Sequence, residues 1–137
     1  MAKTKDVPSA RPLAAKLGIK SGFAVCLLGA PPGFAALLSP LPDRVTLSAR
    51  AVPSAQLFVV FARRARELDV RLAELAGLID RQTLWLAWPK QAAKVSTDLN
   101  GNIVRETGLA AGWVDYKVCA IDPTWSGLAF KRRQRGS

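Results

Sequence analysis

The sequence predicts a three-layer α/β fold whose sheet is mostly parallel and ends in a C-terminal antiparallel hairpin. Two short runs, residues 23–28 and 57–62, are apolar throughout, which is typical of strands buried on both faces of a parallel sheet. Strand-like runs alternate with helical patterns until the last two strands, which follow each other directly. We expect one domain over residues 12–130, between flexible basic tails at residues 1–11 and 131–137.

Apolar runs and turn residues place the individual elements. The predicted strands cover residues 23–28, 44–49, 57–62, 83–88, 113–119 and 127–132. The predicted helices cover residues 12–17, a short segment ending at Leu38, 64–80 and about 98–111. Thr97 or Asp98 is expected to cap the last helix, whose apolar face would contain Leu99, Ile103, Thr107 and Ala110.

The helix at residues 64–80 has the clearest periodicity in the chain. Its apolar stripe is formed by Leu68, Leu72, Leu75 and Ile79. The other side carries Arg63, Arg64, Arg66, Glu67, Arg71 and Glu74. We interpret that side as a solvated face on which Glu67 and Arg71 form an i,i+4 pair.

The absence of histidine excludes several kinds of site. The cysteines, Cys26 and Cys119, lie in separate apolar runs, where we expect buried, reduced thiols. Zinc sites, Cys/His nucleophiles and Ser/His/Asp triads therefore lack their residues. We expect no metal site.

The formal charge of +10 is concentrated at the two ends of the chain. Residues 1–20 and residues 131–137 each carry +4, whereas the remaining residues carry +2. Solvated tails explain this pattern, and weak non-specific binding of nucleic acid through the tails is the alternative. No apolar stretch reaches the roughly 18 residues of a membrane span, and we expect a cytoplasmic protein without a secretory signal.

Two family resemblances follow from these residues. The segments 17–22 and 28–33, on either side of the first strand, resemble the start of S-adenosylmethionine-dependent methyltransferases. Residues 13–133 also resemble a family of small bacterial proteins, domain of unknown function 3052. The segments that match this family are 28–33, 86–90, 97–99, 114–122 and 124–128. The resemblance implies a Rossmann-like, methyltransferase-like but shortened fold, and it implies no established activity.

The methyltransferase resemblance also implies a cofactor site, which this sequence alters. Gly29 and Gly33 keep the glycine pattern of the loop, but Pro31 and Pro32 lack N–H donors. The family places an acidic residue at the end of the second strand, and Arg50 stands there instead. We therefore expect no cofactor and disfavour S-adenosylmethionine. The loop then serves as a rigid turn, although Arg50 could hold a phosphate.

A second group of candidate residues is expected at the C-terminal rim of the sheet. If the topology is parallel, Lys90, Asp122, Trp125 and Ser126 reach the same rim as Gly29. A lysine, a carboxylate and an indole could bind a small anionic or planar ligand. The alternative is an Asp-Pro turn, a core tryptophan and a surface lysine. Asp115 and Lys117, two residues apart in one strand, are expected to form an ion pair.

These observations favour a small α/β domain without catalytic activity. It would bind a small ligand or a protein partner through the C-terminal rim. One alternative is a degenerate methyltransferase-like enzyme, and a second is nucleic-acid binding through the basic tails.

Overall fold

The computed structural model describes residues 11–133 and contains a single six-stranded sheet packed between helices. The strands are β1 Ala24–Leu28, β2 Thr46–Ser48, β3 Leu57–Phe61, β4 Thr83–Pro89, β5 Trp113–Ala120 and β6 Trp125–Arg132. The helices are α1 Leu13–Leu17, α2 Phe34–Leu37, α3 Ala65–Leu75 and α4 Gly101–Ala110. This arrangement confirms the predicted α/β fold class.

In the parallel part of the sheet, with the strand order β2-β1-β3-β4 of the full order β2-β1-β3-β4-β6-β5, the chain reverses once the direction in which it adds strands. Strands β1 to β4 are mutually parallel, with β2 and β3 on opposite sides of β1. The chain therefore moves outward from β1 to β2 and then crosses back to β3. In open α/β sheets, a crevice forms at the carboxyl ends of the two strands where this reversal occurs. That point lies between β1 and β3.

The last two strands form the expected antiparallel hairpin. Strand β6 runs antiparallel to both β4 and β5, so β5 is parallel to β1–β4 and forms an edge of the sheet. The start of β6 therefore lies at the rim where β1, β3 and β4 end.

The sheet is buried on both faces by two apolar layers. Strand β3 is buried at all five positions and supplies residues alternately to the two layers. Phe58 and Val60 face α3 and α4, whereas Leu57, Val59 and Phe61 face α1 and α2. A strand buried on both faces has no polar side, which explains its uninterrupted apolar sequence.

Helix α3 is shorter than its apolar pattern predicts. It ends at Leu75 because Ala76 adopts an extended conformation and Gly77 has a φ of 86°. Ile79 is nevertheless buried, since a turn returns its N–H to the carbonyl oxygen of Leu75 at 3.2 Å. The burial pattern of the stripe was therefore correct, and the predicted end of the helix was wrong.

Helix α4 is capped by a residue other than the two predicted. The side chain of Asn100 accepts a hydrogen bond from the N–H of Ile103, so α4 begins after Asn100. Asp98 instead accepts from the N–H of Ala65 at 2.8 Å, which caps α3. Thr97 donates to the carbonyl oxygen of Arg63 at 2.6 Å. Residues 97 and 98 therefore form hydrogen bonds with the start of α3 and do not cap α4.

A β-bulge in β5 separates the two residues expected to form an ion pair. The register shifts between Asp115 and Lys117. Asp115 pairs with Arg105 of α4 at 3.2 Å, whereas Lys117 donates to the carbonyl oxygen of Lys16 at 2.9 Å. The predicted Asp115–Lys117 pair is wrong, because the extra residue of a bulge changes which face the following side chain meets.

The ends of the chain lie partly outside the described residues. Residues 1–10 and 134–137 are not described, and these contain most of the two predicted tails. Lys131 and Arg132 belong to β6, and Lys131 donates to the carbonyl oxygen of Arg81 at 3.1 Å. Within residues 11–133, none of the helices is long and apolar enough to cross a membrane.

Candidate functional site

The carboxyl ends of the parallel strands and the start of β6 meet at one rim. Gly29 follows β1, Arg63 lies two residues after β3, and Lys90 directly follows β4. The N–H of Lys90 donates to the carbonyl oxygen of Thr124 at 2.7 Å, and Pro89 pairs with Trp125 across the β4–β6 ladder. The structure thus brings Lys90, Trp125 and their neighbours together at the rim that carries Gly29.

Trp125 is a core residue at this rim. Its side chain is 3% exposed and meets the ring of Phe61 edge-on, with the centroids 5.1 Å apart. Phe61 in turn meets Phe34 of α2 at 4.8 Å. The guanidinium carbon of Arg63 lies 5.1 Å from the centroid of the Trp125 ring. The indole therefore supports Arg63, and little of it is open to a planar ligand.

Asp122 has a structural role in the turn between β5 and β6. Its Oδ1 accepts hydrogen bonds from the N–H groups of Thr124 and Trp125, both at 2.8 Å. These bonds close an Asx-type turn. One oxygen of the carboxylate that was expected to bind a ligand is thus occupied by the backbone.

Lys90 and Ser126 line a separate cleft of about 560 Å³, with Trp88, Asp98 and Asn100 among its other residues. Both side chains are half-buried. Their use in ligand binding stays a prediction.

Gly29 lies at the topological reversal between β1 and β3. It has a φ of 73°, and a Cβ atom there would lie 2.9 Å from the carbonyl oxygen of Phe61. Both the conformation and the contact exclude a side chain. Two clefts meet at this residue, one toward β2 and one toward α3. The backbone of Gly29 is therefore accessible from both sides of β1.

The first of these, the β2-side cleft, has a volume of about 370 Å³ and is mostly apolar. Its lining residues are Leu27, Gly29, Ala30, Pro31, Gly33, Phe34, Ala35, Leu47, Ser48 and Ala49. Gly33, a predicted site residue, is the N-cap of α2 and has a φ of 83°. Volumes of about 300–1,000 Å³ are typical of sites for small molecules and cofactors.

The two features that led us to disfavour a cofactor do not obstruct this cleft. Helix α2 begins only at Phe34, so Pro31 and Pro32 precede it; Pro31 lines the cleft without filling it, although neither proline offers an N–H donor to a ligand. Strand β2 ends at Ser48, and Ser48 and Ala49 line the cleft. Arg50 is exposed beyond them, where its backbone N–H and carbonyl bond the Ser48 hydroxyl, both at 3.1 Å. Arg50 is also far from the predicted site residue Trp125, because β1, β3 and β4 lie between β2 and β6 in the sheet.

The second, which we call the arginine cleft, has a volume of about 540 Å³ and was not predicted as a site. It is lined by Gly29, Phe61, Arg63, Arg64, Arg66, Glu67, Val70, Arg71 and Glu74. The sequence suggested a solvated helix face here. The available signal was the position of Arg63 and Arg64, which closely follow a fully buried parallel strand, where ligand sites concentrate.

The acidic residues of the arginine cleft are engaged within the chain. Glu67 accepts from the N–H groups of Arg63 and Arg64 at 2.7 and 3.2 Å, which caps the start of α3. Arg71 pairs with Glu74 at 3.4 Å, so the predicted Glu67–Arg71 pair is wrong. Across residues 11–133, no group of three or more acidic, cysteine or histidine side chains could hold a metal ion.

Comparison with solved structures finds methyltransferases. A proposed type 11 methyltransferase from Sulfolobus solfataricus has a TM-score of 0.63 at 8% identity, covering 96% of this chain and 94% of its own. A chain from the Haloferax volcanii complex of the Trm112 methyltransferase activator with a proposed methyltransferase gives 0.59 at 13% identity, covering 96% and 92%. The Burkholderia thailandensis 1,6-didemethyltoxoflavin-N1-methyltransferase, with bound S-adenosylhomocysteine, gives 0.57 at 13%, covering 97% and 84%. No family model matches the chain, and no curated protein matches it.

These neighbours correct two expectations drawn from the sequence. The leading interpretation, a non-catalytic domain, was wrong: the neighbours that share this architecture are methyltransferases, and the methyltransferase-like alternative agrees better with them. The expectation of no cofactor was also wrong, because a neighbour with this fold holds S-adenosylhomocysteine. The chain has a Rossmann-like fold of the S-adenosylmethionine-dependent methyltransferase type, in a short form.

Proposed function

We propose that this chain binds S-adenosylmethionine in the crevice around Gly29 and acts as a small methyltransferase. The observation that carries the proposal is the position of Gly29. It lies at the reversal of strand order, lacks room for a Cβ atom, and joins the two clefts. A ligand at such a point can approach the backbone closely.

The residues of the β2-side cleft suit the nucleoside part of this cofactor. Ala30, Pro31 and Leu47 provide half-buried apolar surface for a planar base, whereas Leu27 and Phe34 behind them are buried. The Ser48 hydroxyl, at the end of β2, already donates to and accepts from the backbone of Arg50, so its remaining lone pair would be available to accept from a ribose hydroxyl. A neutral hydroxyl replaces the acid that the family resemblance implies, so we expect weaker ribose binding than a carboxylate would give.

The cofactor supplies a methyl group on a positively charged sulfonium, which is transferred to a nucleophile of the acceptor. The contribution of this chain would be positioning, because holding two reactants in line accounts for much of the barrier reduction. Gly29 leaves the space between the two clefts open, so a ligand on the β2 side and one on the α3 side could meet there.

The test blocks the β2-side cleft by a single substitution on α2. Ala35 lines the cleft, whereas its neighbour Ala36 is exposed and does not line it. We expect the unmodified chain to bind S-adenosylhomocysteine in calorimetry with a micromolar dissociation constant, about −8 kcal/mol. Ala35→Trp should weaken binding at least about tenfold, or ~1.4 kcal/mol. Ala36→Trp, the same change on the same helix, should leave binding unchanged. Equal affinities for both variants, or no binding to the unmodified chain, would contradict the proposal.

The finer predictions from the sequence stay open beside this proposal. Membership of the domain of unknown function 3052 family, a protein partner and nucleic-acid binding through the tails are compatible with it. None of them is needed for a ligand to bind in the crevice around Gly29.

A further inference from the structure

We propose that the arginine cleft binds an oxyanion, a phosphate or carboxylate, carried by the methyl acceptor. This proposal names a substrate class for the proposed function. It rests on that function because it assigns the oxyanion to the methyl acceptor. Binding of the oxyanion itself is a separate claim, with a separate readout.

The first support is the charge of the cleft. Four arginines line it against two glutamates, Glu67 and Glu74, which leaves a formal charge of +2. The carboxylate of Glu67 already accepts two backbone N–H groups at the start of α3. Its charge is therefore directed at the helix terminus. Concave surfaces of one charge sign raise the local concentration of oppositely charged ligands.

The second support is that most of these guanidinium groups lack a carboxylate partner. Among residues 11–133, the ion pairs within 4.0 Å are Arg71–Glu74 and Arg105–Asp115. Arg63, Arg64 and Arg66 therefore have no carboxylate at that distance in the described part of the chain. Their N–H groups are the kind of donors that recognise oxyanions bidentately.

The third support is that neighbouring groups restrain these side chains. Arg63 lies over the Trp125 ring, and the Nη2 of Arg64 donates to Ser96 Oγ at 2.8 Å. The Nη2 of Arg71 lies 3.7 Å from the position a Cβ would take on Gly29. Side chains already held in place lose less conformational entropy when a ligand binds. Arg71 is thus the arginine placed beside Gly29, where the two clefts meet, while Arg63 and Arg64 are held by Trp125 and Ser96.

The charge also indicates the acceptor as the source of the oxyanion. The amino-acid end of S-adenosylmethionine carries both an ammonium and a carboxylate, so its net charge is zero and the cationic cleft attracts it little. A phosphate or a lone carboxylate on the acceptor carries uncompensated negative charge. The cofactor in the β2-side cleft and the acceptor in the arginine cleft would then meet at Gly29.

The test uses the full chain, labelled with ¹⁵N, and inorganic phosphate or acetate as the probe. We expect saturable shifts of the Gly29 and Arg64 amide resonances, with smaller shifts for Thr83 at the opposite rim. Arg66→Gln and Arg71→Gln should each weaken phosphate binding roughly tenfold. Arg81→Gln removes the same charge at the opposite rim and should have no effect at Gly29. Tighter binding of phosphate than of acetate would indicate a phosphorylated acceptor, and the reverse order a carboxylate.

Two results would overturn the proposal. One is a phosphate response at Gly29 that is insensitive to Arg66→Gln and Arg71→Gln. The other concerns the cofactor: if these variants weaken S-adenosylhomocysteine but not 5′-methylthioadenosine, which lacks the amino-acid end, the arginines hold the cofactor's carboxylate. If phosphate binds as expected while S-adenosylhomocysteine does not bind at all, the oxyanion site stands and the proposed methyltransferase function fails.

Discussion

Gly29 combines a backbone requirement with a packing requirement. Its φ of 73° lies in the left-handed region, and the nearest atom to a Cβ would be the carbonyl oxygen of Phe61, part of the backbone of β3. A backbone atom in a central strand cannot rotate away as a side chain would. The same residue therefore sets the distance between β1 and β3 where the two clefts meet.

We expect Gly29→Ala to reduce the free energy of unfolding by more than Gly22→Ala. Gly22 has a similar φ of 79°, but no atom lies within 4 Å of its Cβ position. Gly22→Ala should therefore lower the free energy of unfolding by the conformational cost alone, about 1 kcal/mol. Gly29→Ala should lower it by roughly a further 1 kcal/mol or more, because of the contact with Phe61. Urea denaturation measures both. Equal losses would show that β1 and β3 separate freely at this point.

At the scale of elements, contacts distant in sequence decide where helices begin and pack. Asp98 caps α3 from 33 residues away, so the loop before α4 stabilises the helix that presents the arginines. Helix α4 buries Val104 and Gly108 against the sheet, whereas Ile103 and Thr107 of the predicted apolar face are half-buried and Ala110 is exposed. Leu99 is buried as predicted, but it lies before the helix begins. Gly108 takes this position because the Phe130 ring occupies the space beside it.

Two glycines of α4 should respond to alanine in opposite directions. At Gly108, a Cβ would overlap the buried Phe130 ring, so we expect Gly108→Ala to destabilise the chain by about 1–3 kcal/mol. At Gly101, the nearest atom would be Trp88 Cζ2 at 3.4 Å, an ordinary contact, and φ is not positive. Gly101→Ala should stabilise by up to about 1 kcal/mol, because alanine favours the helix. Thermal unfolding should show a lower melting temperature for Gly108→Ala and a higher one for Gly101→Ala. A neutral Gly108→Ala would mean that α4 does not pack through this glycine.

At the scale of the whole molecule, the apolar layers on both faces of the sheet bury both cysteines. Burial raises the pKa of the Cys26 thiol, despite a hydrogen bond from the N–H of Val52 that lowers it. Burial also raises the pKa of Cys119, against the lowering effect of Lys16, Lys117 and Lys90. The folded state therefore binds these protons more tightly than the unfolded state does.

This linkage predicts that the free energy of unfolding falls at alkaline pH. The contribution is fully present below the thiol pKa of the unfolded chain, roughly 8.5, and is lost as the pH rises through the higher folded pKa. Urea denaturation between pH 7 and pH 10 should show the fall, and it should be smaller in Cys26→Ala. Parallel pH profiles for the unmodified chain and Cys26→Ala would contradict a raised pKa at Cys26.

The class of the fold, the order of its elements and most of its core follow from patterns in the sequence alone. Apolar runs such as residues 57–61 identify central strands because a strand covered on both faces has no polar side. The same reasoning correctly placed Lys90 and Trp125 at one rim, since parallel strands end together. These conclusions follow from local pattern and connectivity, which a sequence records directly.

Which rim residues face open space depends on the tertiary structure, and the sequence does not predict it. The tertiary structure turned Asp122 toward backbone N–H groups, buried Trp125 under Arg63, and placed Ser48, not Arg50, at the β2-side cleft. The arginine cleft is likewise lined by a helix face that the sequence pattern predicts to be solvated. The physical reason is that a cleft is the space left between elements. Its lining depends on where strands end and how helices lie, and shifts of one or two residues in those ends change it.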